Sequence, residues 1–88
     1  MSQQTRALRD LMTRETNGRG RNLSYVDITY DRIYQYIEDD LGKEPRKQTV
    51  DNNIEKVADA LILKGEIKKK EIRAKGKNKL ATLRLYTK

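Results

Sequence analysis

The side chains with the clearest chemical capacity in these 88 residues are cations, and they are unevenly placed. From Glu66 to Lys88 there are nine (Lys68, Lys69, Lys70, Arg73, Lys75, Lys77, Lys79, Arg84 and Lys88) against two acids, Glu66 and Glu71. The first 65 residues hold eleven bases and eleven acids, so the net charge of +7 belongs to the last quarter of the chain. Charge segregated in this way makes a directed positive field, and the partner that suits it is a polyanion. Within the segment, Lys75, Lys77 and Lys79 alternate with the turn formers Gly76 and Asn78, and Arg73 stands at the base. Long basic side chains on a hairpin tip can straddle phosphates or enter a minor groove. The plainer reading is a charged hairpin whose lysines block edge-to-edge strand pairing.

Other chemistries are thinly supplied. The absence of His removes the commonest general base and transition-metal ligand, and the absence of Cys removes disulfides and thiolate sites. The two serines, Ser2 and Ser24, lie outside any nucleophile motif. Glu66-Ile67-Lys68 matches the Glu-x-Lys element of metal-dependent nucleases at two positions, a common coincidence where charged residues reach 38%. Such an enzyme also needs an upstream Asp on the same metal, and Asp59 falls on a helical pattern. The glycines at Gly18 and Gly20 fall far short of a phosphate-binding loop. No catalytic residue, cofactor, metal or small-molecule effector is expected. No apolar run approaches the roughly 18 to 20 residues that span a bilayer, and no signal-peptide core is visible. The expectation is a single small domain over residues 1–88, cytoplasmic or nucleoid-associated, neither secreted nor membrane-bound.

The elements that must position these cations follow from periodicity. Ala7, Leu8, Leu11 and Met12 share a stripe and predict a helix over residues 3–14, with a polar loop from Glu15 to Asn22. Leu23–Ile28 reads as a short strand or extended lead-in. Thr29 is an N-cap, Ile28 and Ile33 a hydrophobic staple and Gly42 a stop, which predicts a helix over residues 30–41 buried along Ile33, Ile37 and Leu41. A tight turn through Pro45 leads to a third helix over residues 46–64, with Val50, Ile54, Val57, Ala58, Leu61 and Ile62 facing a core and Gly65 ending it. Two strands, Glu66–Arg73 and Leu80–Thr87, close the order. Ile67 and Ile72 are five apart, an odd offset that predicts a bulge or an early strand end.

Helix, strand, helix, turn, helix and hairpin in this order resemble a winged helix-turn-helix domain. The resemblance spans nearly the whole chain and is strongest from Ile28 to Leu85. ITYDRIYQYIEDDLG is similar to that family's second helix. RKQTVDNNIEKVADALILKGEI is similar to its recognition helix and exit, through Thr49-Val50, Ile54, Leu61 and Lys64-Gly65-Glu66-Ile67. The implied fold is α+β, a three-helix core with a C-terminal two-stranded wing over residues 66–87. The implied function is double-stranded DNA binding by a small transcriptional regulator. The third helix would present Arg46, Lys47, Gln48, Thr49, Asn52, Asn53 and Lys56 to the major groove, where Asn and Gln suit adenine and Arg and Lys suit guanine. Arg73, Lys75, Lys77 and Lys79 of the wing would meet phosphates or the minor groove. A solvated helix face is the plain alternative for the third helix, and Asp51 and Glu55 would repel phosphate. The neutral body and the acidic stretch Glu38-Asp39-Asp40 keep a second class open: a winged-helix protein-interaction module in transcription or replication machinery, binding nucleic acid only weakly and nonspecifically. The five tyrosines read as core or core-edge residues. A homodimer through Leu8, Leu11 and Met12 of the first helix would enlarge a small DNA footprint; the alternative is that this stripe closes a monomer's core.

Overall fold

The computed structural model describes residues 2–18, 24–74 and 81–87. They form three helices and a three-stranded antiparallel sheet: α1 (Gln3–Gly18), β1 (Tyr25–Thr29), α2 (Tyr30–Leu41), α3 (Lys47–Leu63), β2 (Lys69–Ala74) and β3 (Ala81–Tyr86). The strand order is β1-β3-β2, so the last strand lies in the middle. One face of the sheet meets the helices, and the core forms between them from Leu8, Leu11 and Met12 of α1, Ile33 and Ile37 of α2, Val50, Ile54 and Leu61 of α3, and Ile28, Leu83 and Leu85 of the sheet.

The helix boundaries follow from capping. Ser2 Oγ accepts from Thr5 N at 3.1 Å and opens α1. Thr29 Oγ1 accepts from Arg32 N at 3.2 Å and opens α2, while Ile28 and Ile33 on either side of it are both buried. Gly42, at φ 78°, closes α2 and donates its N–H to Glu38 O at 2.8 Å. At the end of α3, Gly65 (φ 80°) donates to Ile62 O and Glu66 donates to Leu61 O at 2.9 Å. Those two bonds satisfy carbonyls that the helix leaves open and turn the chain toward the sheet.

Three sequence expectations change. The first helix runs four residues beyond Arg14, through what reads as a loop. Glu15 lies one turn after Leu11 on the same stripe, is buried, and receives Arg32 of α2 at 2.6 Å. Thr16 Oγ1 donates back to Met12 O at 3.0 Å. The polar composition of this turn hides a carboxylate that is neutralised inside the fold.

The second change concerns Ile67 and Ile72. No bulge interrupts the β2–β3 register. Instead β2 starts at Lys69, later than Glu66, and Ile67 enters the core from the irregular segment before it. Ile72 stands opposite Leu83 on the core-facing side but at the sheet edge, 38% exposed.

Third, Leu8, Leu11 and Met12 are fully buried in the protein's own core. Of the two readings of this stripe, closure of the core is the one observed, and these three side chains are not free to form a dimer seam. No helix of the described residues is long and apolar enough to cross a membrane.

Candidate nucleic-acid interface

α3 owes its position to its apolar stripe. With Val50, Ile54, Val57, Ala58 and Leu61 buried, the opposite face must stand in solvent, and it carries Gln48, Thr49, Asn52 and Lys56. All four are exposed, on successive turns of one helix face. Arg46 occupies the N-cap position without a side-chain cap bond and is exposed.

Two members of the expected set are held differently. Asn53 is half-buried and turned toward α1, where its Nδ2 donates to Gln4 Oε1. Lys47 lies back over the Tyr34 ring of α2, its Nζ 5.4 Å from the centroid. Lys75, Lys77 and Lys79 lie outside the described residues. Arg73 is described: it is exposed on β2, with its guanidinium 3.7 Å from Glu71.

Of the acids that would repel phosphate, Asp51 is turned away, whereas Glu55 and Asp59 are exposed. Asp51 accepts from the Tyr34 hydroxyl at 2.7 Å, so its carboxylate faces α2. Asp51 and Glu55 both act on Tyr30 of α2. Burial first, and then these two charges, push the Tyr30 hydroxyl up to about 12. Burial and the bond to Asp51 shift Tyr34 upward as well. Asp59 is occupied by Lys70 of β2 at 2.6 Å, a pair that ties α3 to the hairpin. Lys70 faces inward and Lys69 outward, so the Lys68-Lys69-Lys70 run does not present one basic face.

The outer face of the sheet was not legible as a unit. Alternation places Tyr25 and Asp27 of β1, Arg84 and Tyr86 of β3, and Lys69, Glu71 and Arg73 of β2 on the side away from the helices. Arg84 donates to both carboxylate oxygens of Asp27, at 2.8 and 3.1 Å, and covers the Tyr25 ring at 3.8 Å. Its bond to Arg84 holds the Asp27 carboxyl below the usual carboxylate range. Tyr86 donates to Glu71 at 2.7 Å, with Lys69 over its ring at 4.7 Å. Tyr25 and Tyr86 are therefore outer-face residues, whereas Tyr30, Tyr34 and Tyr36 fit the core and core-edge reading. Both outer rings already carry an internal cation, which leaves this face a poor stacking platform.

Among the described residues no group of three or more acidic side chains could hold a metal ion. Against protein-family models, curated proteins and solved structures, the sequence finds no match.

Proposed function

We propose that this chain is a winged-helix protein that binds double-stranded DNA as a small transcriptional regulator. α3 reads base edges in the major groove, and the β2–β3 hairpin contacts phosphates or the minor groove. The observation that carries the reading is the outward face of α3. It presents Gln48, Thr49, Asn52 and Lys56 together, while Asp51 and Asp59 are engaged by Tyr34 and Lys70 and Glu55 alone of the three acids stays exposed without an ion pair among the described residues. A groove-facing helix needs this combination of amide and cationic donors with few free carboxylates. The element order and the β1-β3-β2 sheet support the winged-helix assignment, since the hairpin rises directly from the end of α3. The segment from Glu66 onward carries the excess charge, which supports the wing's role with phosphate.

Anisotropy of a labelled duplex tests the reading. Binding weakens with salt at a log-log slope of about 0.9 per phosphate neutralised. Lys75→Ala and Lys77→Ala each lower that slope by about one, on preferred and random DNA alike. Absence of duplex binding at low salt refutes the proposal.

A further inference from the structure

Beside the outward face of α3 lies a cleft of about 220 Å³ between α3 and α1. Its character differs from that of the rest of the surface. The floor is apolar at Ala60, which is exposed there, with Val57 and Leu61 closed beneath it as part of the core. The rim is cationic, with Arg9 on one wall, Lys56 on the other and Lys64 at the end, and no acidic side chain lines it. Among the described residues none of these three cations forms an ion pair. Asp59, one turn from Lys56, is held by Lys70 instead. Asp10 and Glu66 line the adjoining depression.

We propose that this cleft docks an acidic amphipathic helix of a partner protein. Its apolar residues would cover Ala60 and the methylene stems of Arg9, Lys56 and Lys64, and its carboxylates would meet the charged ends of those three side chains. Charge complementarity selects the acidic occupant, because three unpaired cations around one cleft repel a basic segment. The apolar floor selects a peptide over a phosphate backbone, which has no apolar group to bury there. The inference does not rest on DNA binding. It does predict antagonism with it, because Lys56 serves both the cleft and the outward face of α3.

The test is an amide-resonance titration of the full chain with a synthetic helical peptide of about 15 residues, leucines at i and i+4 on one face and glutamates flanking them. Saturable shifts at Thr5, Arg9, Val57, Ala60 and Leu61 are expected. A peptide with lysines in place of the glutamates binds about tenfold more weakly or worse. Ala60→Glu, at an exposed position where the fold has no stake, weakens the glutamate peptide by at least about tenfold by placing a charge on the floor. Arg9→Glu weakens it and improves the lysine peptide. The proposal is overturned if no saturable shift appears, if both peptides bind alike, or if Ala60→Glu is without effect. A duplex DNA that moves the floor amides when the peptide does not also overturns it and assigns the cleft to nucleic acid.

Discussion

Asn52 and Asn53 are adjacent in sequence, yet the fold gives them different surroundings, and their substitutions separate the proposed base reading from stability. Asn52 is exposed on the outward face of α3, whereas Asn53 is half-buried and bonded to Gln4 of α1. Asn52→Ala removes no intramolecular bond and gains helix propensity, so the fold becomes more stable by up to about 0.7 kcal/mol. Loss of a bidentate base contact costs about 1 to 3 kcal/mol on the preferred duplex, a weakening of roughly 5- to 150-fold, and little on shuffled DNA. Asn53→Ala loses a neutral hydrogen bond, about 0.5 to 1.5 kcal/mol, against the same propensity gain. The net is a destabilisation of up to about 1 kcal/mol, with affinity for both duplexes nearly unchanged. Urea midpoints report the first quantity, and anisotropy with preferred and shuffled duplexes reports the second. Site preference lost in Asn53→Ala but kept in Asn52→Ala would refute the orientation of α3. Preference intact in both would refute base reading by this helix.

Further outcomes follow from the core and from the titrating groups. Leu61→Ala, in the fully enclosed stripe of α3, costs about 2 to 5 kcal/mol in urea unfolding; a loss under about 1 kcal/mol would contradict its core position. The Asp27 carboxyl is held low by Arg84, so its contribution is present above the unfolded value and is lost as pH falls below about 4. The pair is half in solvent, which keeps the effect under about 1 kcal/mol, and Asp27→Asn should flatten that acid decline. Tyr30 is shifted the other way. Its contribution is complete below the unfolded value of 10.0 and is lost as pH rises toward about 12. Urea midpoints stepped through that range should decline less steeply in Tyr30→Phe than in the parent.

Local signals placed most of the elements. Thr29 and Gly42 bracket α2 because a cap hydroxyl and a left-handed turn act over three or four residues, and the observed helix begins and ends where they put it. The stripe of α3 is visible for the same reason: its period depends only on the helix. The misplaced boundaries depended on distant partners. Glu15 reads as a loop residue until Arg32 lies opposite it, and Ile67 reads as strand until the turn after Gly65 delivers it to the core ahead of the ladder. Along the candidate interface the sequence indicates residue type but not direction. Gln48, Thr49, Asn52 and Lys56 emerge together, Asn53 is diverted by Gln4 and Lys47 by Tyr34, and no spacing rule announces either partner. The cleft rim joins Arg9 to Lys64 across 55 positions, beyond the reach of any periodicity.

The middle place of β3 in the sheet sets a temporal order on assembly. β1 and β2 do not pair with each other, so each waits for a strand that leaves the ribosome after both. Asp27 finds Arg84 across 57 positions, a loop whose closure entropy must be met before any ladder bond repays it. Until then Val26 and Ile28 have no sheet to belong to, and a nascent chain that already holds α1, α2 and α3 still lacks the surface against which they pack. The hairpin, proposed above as the DNA-facing part, is therefore also the keystone: its last strand is the one that lets the rest of the chain become a fold.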